Sequence, residues 1–229
     1  MKPQLRRVGS MQSPVVVIDN FCGSCDQAFA AAEAFAPFPP INRDSYYPGL
    51  RRVIDRADEP ANAYVEDLCQ RSAQFIAGAF DVEGFDLLEA SFSMVTAKPS
   101  ELREAQRAPH FDSTDQKYFA LLHYLRIPDG TGTAFYRQRS TGIERVTEAN
   151  IARFVTTAEK EAAMLPKDSG YIHGSNQFYE QIGAVEGVVD RLVIYQGSLL
   201  HSGIIPPGMS FSGDPREGRL TANIFVRGH

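Results

Sequence analysis

Leu88-Glu89-Ala90-Ser91-Phe92-Ser93-Met94-Val95 marks the point where the chain changes period. Leu88, Ala90, Phe92 and Met94 alternate with Glu89, Ser91, Ser93 and Val95, the pattern of a half-buried strand. Upstream the period is helical. Ala61, Tyr64, Val65, Leu68, Cys69, Phe75, Ile76 and Ala79 fall on one stripe of a helix that starts near Asp58-Glu59-Pro60. Asp58 reads as its cap, and Pro60 is tolerated in the first turn. This stripe reads as core packing. Asp26–Phe35 is a shorter alanine-rich helix stopped by Pro37, Pro39 and Pro40. A short strand, Val15–Ile18, precedes it. Residues 37–58, with Tyr46-Tyr47-Pro48-Gly49, read as an ordered loop.

Downstream, strands are expected over Lys117–Ile127, Thr133–Gln138, Arg191–Tyr195, Ser198–Ser202 and Arg219–Arg227. Pro128-Asp129-Gly130-Thr131-Gly132 is a turn between two of them. Asn150–Met164 reads as one inserted helix, and residues 213–218 as an exposed loop before the last strand. Helices followed by many short strands with Gly/Pro turns predict an α+β protein with a β-sandwich or jelly-roll core. The expectation is one domain over 1–229. Residues 1–85 form the N-terminal strand and helices, packed on one sheet, and 86–229 the core with its inserted helix near 150–164.

The composition narrows the function classes. The chain has 229 residues, 43% of them hydrophobic, and a net charge of −5. It is long enough for one sizeable core. No basic stripe or Lys/Arg run is present, which argues against a nucleic-acid partner. The N-terminus is basic but lacks the apolar segment of a signal peptide, and no stretch approaches the roughly 20 apolar residues of a membrane span. A soluble cytoplasmic protein is therefore expected. Three cysteines, an odd count, argue against an oxidising compartment. The sequence carries no signal for oligomeric state.

The chemistry concentrates in His110-Phe111-Asp112, with His201 far downstream and Arg219 after it. Residues i and i+2 of a strand point to the same side, so His110 and Asp112 can present an imidazole and a carboxylate together. Even irregular backbone keeps them adjacent. His201, after a Leu-rich segment, would add a second imidazole from a neighbouring strand. Two His and one carboxylate on one face of an octahedron leave three positions open, the facial arrangement of non-haem Fe(II) oxygenases. His-x-Asp alone is weak; its setting among late strands gives it weight.

Arg219 is the second anchor. A guanidinium holds a carboxylate through two parallel hydrogen bonds. Arg219, Thr221 and Asn223 share one face of the last strand, and Leu220, Ala222, Ile224 and Val226 the other. One polar and one apolar row fit the wall of a barrel with a ligand cavity inside.

These residues resemble the Fe(II)/2-oxoglutarate-dependent dioxygenase superfamily, most closely its prolyl-hydroxylase-like branch and a related group of uncharacterised bacterial proteins. The matching segments are Val16-Val17-Ile18-Asp19-Asn20-Phe21, His110-Phe111-Asp112, Leu122-His123-Tyr124-Leu125 with Gly130-Thr131-Gly132-Thr133, Leu199-Leu200-His201-Ser202-Gly203 and Arg219-Leu220-Thr221. They span nearly the whole chain. The resemblance implies a double-stranded β-helix (jelly roll, cupin-like) preceded by helices. It implies that His110, Asp112 and His201 are the catalytic iron ligands. It also implies that Arg219, with Tyr124 and Thr221 beside it, binds the distal carboxylate of the co-substrate 2-oxoglutarate. The implied reaction is oxidative decarboxylation of 2-oxoglutarate coupled to hydroxylation of a small molecule or a peptidyl side chain. Because Asp112 is present, halogenation is disfavoured. Two features depart from the pattern. His123 precedes Tyr124, which leaves open the side chain that faces the cavity, and the segment between His201 and Arg219 is longer than in many prolyl hydroxylases.

Two further readings fit the residues: a cupin-like metalloenzyme that uses the triad without 2-oxoglutarate, and a non-catalytic binding module on the same fold. An N₂O ligand set also accepts Ni²⁺, Cu²⁺ or Zn²⁺, which outrank Fe²⁺ in intrinsic affinity. His123 reads as a satisfied core or cavity residue, His173 as a surface loop residue and His229 as a loose terminus. Arg137 and Arg139 either line a substrate mouth or are solvated strand-end cations. Cys22-Gly-Ser-Cys25 has the spacing of a redox-active pair or of half a zinc site. Val15–Ile18 followed by Asp26–Phe35 loosely matches the strand and helix around a thioredoxin-like motif. No second Cys pair or nearby His pair completes a zinc site, and a structural role is the preferred reading. The segments expected to select substrate are Arg43–Arg52, Arg137–Glu144 and Ser169–Gly187.

Overall fold

The structure is a computed structural model; it describes residues 1–40 and 46–229. Among the described residues, ten strands form two antiparallel sheets. In chain order they are β1 (Lys2–Val8), β2 (Ser13–Asp19), β3 (Gly49–Val53), β4 (Phe85–Val95), β5 (Tyr118–Arg126), β6 (Gly132–Gln138), β7 (Tyr179–Glu186), β8 (Arg191–Gln196), β9 (His201–Ile204) and β10 (Leu220–Gly228). The larger sheet runs β1-β2-β8-β5-β10-β4-β3, and the smaller runs β7-β6-β9. Helices α1 (Asp26–Ala34) and α2 (Glu59–Phe80) precede β4, and α3 (Ile151–Ala163) is inserted between β6 and β7.

Period-2 alternation divides the larger sheet into two faces. On one face Val16 and Ile18 of β2, Leu121 and Leu125 of β5, Leu192 and Ile194 of β8, and Leu220, Ala222, Ile224 and Val226 of β10 are buried against the helices. The helices answer with Ala28, Ala31 and Ala32 from α1 and Ala61, Val65, Leu68 and Ile76 from α2. Small alanines at i, i+3 and i+4 let α1 approach closely. Each fully buried Leu, Ile or Val contributes roughly 1.5–3 kcal/mol of transfer free energy. On the opposite face Val15, Val17, Ala120, Tyr124, Val193 and Tyr195 meet Phe135 of β6 and Val185 of β7, so the second cluster lies between the two sheets. The N-terminal helices thus pack on one sheet, as expected.

Several local expectations change. Leu88 is exposed instead of buried, because the register of β10 against β4 shifts between Phe225 and Val226, skipping Leu88. Ser91 and Ser93, on the supposed wet face, are buried under polar side chains of the neighbouring strands: Arg51 donates to Ser91 Oγ at 2.9 Å and Asn223 to Ser93 Oγ at 3.2 Å. Residues 37–58 are not wholly a loop: β3 pairs with β4, Gly49 opposite Val95. Within that segment, 41–45 lie outside the described residues. The segment 169–187 contains β7, and the strand expected over Ser198–Ser202 starts only at His201 and runs on to Ile204 as β9. β1 has no apolar alternation; it is an edge strand whose one strand partner among the described residues is β2. Asp58 does not cap α2 with its side chain. Its carboxylate accepts from the Asp55 N–H at 2.8 Å and pairs with Arg52 at 3.1 Å. Among the described residues, no helix is long and apolar enough to cross a membrane.

Candidate active site

The smaller sheet is prolonged by one residue beyond β9. The His110 N–H donates to the His201 carbonyl at 2.9 Å, and the His201 N–H donates to the His110 carbonyl at 2.8 Å. The two residues form an isolated antiparallel bridge. Residues paired in this way project their side chains from the same face. The rings accordingly lie 4.3 Å apart between centroids. Asp112 is tied separately: its N–H donates to the Gly197 carbonyl at 2.7 Å, in the turn that leads to His201. Gly197 permits this approach, since a Cβ there would lie 2.6 Å from Tyr118 Cδ1 and 3.2 Å from Asp112 Cβ.

One ligand atom from each of His110, Asp112 and His201 lies within 4.8 Å of the other two. His110 Nε2 is 3.9 Å from Asp112 Oδ1, and His201 Nε2 is 3.6 Å from Asp112 Oδ2. His201 Nδ1 donates to the Leu199 carbonyl at 2.7 Å, which leaves the Nε2 lone pair turned to the cluster. Asp112 Oδ2 is buried without a hydrogen-bond partner. Burial, then the neighbouring His201, holds His110 well below the usual imidazole range and hence neutral. Burial also raises Asp112, against the pull of His201 and Arg51. A carboxylate with a buried, orphaned oxygen, faced by two imidazoles, is a donor set suited to a cation.

The cluster opens into a cavity of about 510 Å³ whose walls include His110, Asp112, His201, Tyr195, Arg219 and Thr221. Arg219 is 4% exposed. It donates to the Gly132 carbonyl at 3.3 Å, its Nε has no hydrogen-bond partner, and it makes no ion pair among the described residues. Its guanidinium lies 5.7 Å from the centroid of the Tyr124 ring. The Tyr124 hydroxyl and Thr133 Oγ1 are 2.7 Å apart. Thr221 Oγ1 donates to Asn223 Oδ1 at 3.1 Å. Tyr124 therefore faces Arg219, while His123 faces the helices, within hydrogen-bond distance of Tyr64 and Asp190.

Other expectations divide. His173 is exposed. Arg137 and Arg139 do not line the cavity. Arg137 is not a free cation either: it pairs with Glu180 at 3.0 Å and with Glu144, whose side chain is fully buried. Of the segment Arg43–Arg52 expected to select substrate, Tyr46, Tyr47, Pro48 and Arg51 line the cavity, although sequence reading gave none of them an individual role. Tyr46 packs its ring on His110, 4.6 Å between centroids, with its hydroxyl on the carbonyls of Ala105 and Ala108. Arg51 pairs with Glu89, donates to Ser91 Oγ at 2.9 Å and stands over Phe225. Their sequence signal was Tyr46-Tyr47-Pro48-Gly49 beside two arginines, an aromatic and cationic patch in a presumed loop.

The sequence matches a family model described as "Family of unknown function (DUF6445)" over residues 1–226. The chain belongs to that family. No curated protein matches it. Among solved structures, similarity extends over nearly the whole chain. The non-heme alpha ketoglutarate dependent epimerase SnoN from nogalamycin biosynthesis aligns with a TM-score of 0.54 at 12% identity, over 95% of this chain and 79% of that one. A Pseudomonas putida prolyl-4-hydroxylase aligns at 0.50 and 15% identity, over 95% and 94%. Iron-bound HygX from Streptomyces hygroscopicus aligns at 0.51 and 15% identity, over 94% and 83%. At such identities the likeness establishes the fold: this DUF6445 protein shares that of Fe(II)/2-oxoglutarate-dependent oxygenases, prolyl hydroxylases among them.

Proposed function

We propose that this protein is an Fe(II)- and 2-oxoglutarate-dependent oxygenase that hydroxylates a small molecule or an amino-acid side chain. We read 1–229 as one oxygenase domain whose two sheets form a double-stranded β-helix. The carrying observation is that the His110–Asp112–His201 cluster lines one cavity with Arg219, which is buried and has no ion pair among the described residues. A bare triad would serve a cupin-like enzyme equally well. A guanidinium buried without a carboxylate favours a diacid co-substrate, because a buried charge needs a partner.

In this reading His110, Asp112 and His201 hold iron, and bound Fe(II) with 2-oxoglutarate supplies O₂ activation coupled to decarboxylation. The chain's own groups do the rest. The Leu199 carbonyl keeps the His201 proton on Nδ1, so Nε2 stays a donor to the metal. Arg219 receives the distal carboxylate in two parallel hydrogen bonds, with Tyr124 and Thr221 beside it. Phe225 and Tyr195 exclude water from the same cavity. Arg51 and Glu89 lie on the wall available to substrate. Anaerobic addition of Fe(II) and then 2-oxoglutarate should produce a visible metal-to-ligand absorption band. Failure of the pair to bind at all overturns the reading; a band abolished by His201→Ala supports it.

A further inference from the structure

On the helix side of β5, a second group of ligating side chains converges. Cys22, His123 and Asp190 each place a ligand atom within 4.8 Å of the other two. Cys25 follows three residues after Cys22 in the same turn, ahead of α1. The tetrad comes from three places in the chain: the turn between β2 and α1, the middle of β5, and the turn from β7 to β8. His123 is fully buried, Asp190 is 7% exposed, and the two cysteines are partly exposed, so an ion can enter from the loop side.

We infer that Cys22, Cys25, His123 and Asp190 form a second metal site, a tetrahedral S₂NO site for Zn²⁺ or a similar thiophilic divalent ion. Cys-x-x-Cys supplies two sulfur ligands at the spacing zinc prefers, and a His and a carboxylate complete the four. The supporting shell is in place. The Cys22 and Gly23 N–H groups donate to the Asp190 carboxylate, both at 2.8 Å. Asp190 in turn donates its N–H to the Tyr124 carbonyl at 2.8 Å and accepts from the Phe21 N–H at 2.9 Å. The Tyr64 hydroxyl, 2.6 Å from His123 Nδ1, can donate or accept. The ring can therefore show Asp190 an Nε2–H, or show an ion the Nε2 lone pair. Without an ion, burial and then Asp190 push the thiols up, Cys22 to about 11 and Cys25 to about 12. That is the reverse of a reactive thioredoxin-like pair. Ion binding releases one proton from each thiol, so affinity rises with pH. The bound ion would clamp the 20–25 turn to β5 one residue from Tyr124, bracing the strand that packs against Arg219.

The test uses the full chain and Co²⁺ as probe. The His110 site has no sulfur, so a near-ultraviolet thiolate-to-cobalt charge-transfer band can arise only from cysteine ligation. The band should appear in the wild type and in His110→Ala and Cys69→Ser, and disappear in Cys22→Ser and Cys25→Ser. Losing an outer-sphere partner weakens metal binding by about 10–100-fold, so loss of either thiol should lower Zn²⁺ affinity at least about 100-fold. On the wild type alone, Zn²⁺ should protect two of the three thiols from an aromatic disulfide reagent. The inference is overturned by a cobalt spectrum without the band, by equal thiol reactivity with and without Zn²⁺, or by isolation of a Cys22–Cys25 disulfide with no bound zinc.

Discussion

His110 and His201 are direct backbone partners, exchanging hydrogen bonds of 2.9 and 2.8 Å across the edge of the smaller sheet. Residues distant in sequence therefore become opposite positions on one face, with their rings 4.3 Å apart. The candidate metal cluster depends on this pairing, and Asp112 joins it through the turn at Gly197.

Removing Asp112 should separate binding from stability. Its Oδ2 is buried without a partner, and burial raises its pKa. Asp112→Ala should abolish iron binding measured by elemental analysis. The metal-free variant should be no less stable than the metal-free wild type, and up to about 1–3 kcal/mol more stable in urea denaturation, because an unsatisfied buried group is gone. A large loss of stability would mean that Asp112 serves the fold.

Arg219→Met should leave iron content unchanged and weaken 2-oxoglutarate. Hydrogen bonds to charged groups are worth about 1.5–3 kcal/mol, which corresponds to a rise in Kd of roughly 10- to 100-fold. Titration calorimetry of the iron-loaded protein without oxygen measures it directly. An unchanged Kd would remove Arg219 from the co-substrate site.

Gly197→Ala tests the turn. The added methyl meets Tyr118 Cδ1 at 2.6 Å and Asp112 Cβ at 3.2 Å, so either the Tyr118 ring or the Asp112 backbone shifts. The expected cost is about 1–3 kcal/mol of stability. Iron affinity should fall more than in a control substitution of equal destabilisation elsewhere, read from thermal melts beside metal titrations.

Glu144 carries an acid-sensitive tie. Burial works to raise its pKa, but hydrogen bonds from the Ser10 and Met11 N–H groups, the Ser10 hydroxyl and Arg137 prevail and lower it below 4.5. Between the folded and unfolded values the unfolded chain binds the proton and the native state does not. Its contribution is thus complete above about pH 4.5 and is lost as pH falls through the folded value. Glu144→Gln should lower stability at neutral pH by about 1–3 kcal/mol and flatten the acid limb of a denaturation series. A slope identical to the wild type below pH 4.5 would assign that limb to other carboxylates.

The alternation of Ala90, Phe92 and Met94, the stripe from Ala61 to Ala79 and the two rows of β10 were legible in sequence, because burial of one face imposes a local period. So were the ligand types at His110, Asp112 and His201, and the placement of Arg219 and Thr221 on the polar row. β1, β3 and β7 were not legible. They lie at or near sheet edges, where partners instead of periodicity hold a strand. The orientation of Tyr124 and His123 followed from which sheet face met the helices, a long-range choice. Tyr46 against His110, Arg51 beside Glu89, and Asp190 between Cys22 and His123 join segments distant in sequence, and no local pattern carries such contacts. By itself the sequence determined the helices, most of the strands and the inventory of ligating groups, since these follow from local burial and side-chain chemistry. Only the tertiary structure decided which groups meet, because strand pairing and packing between sheets bring together residues that no local spacing relates.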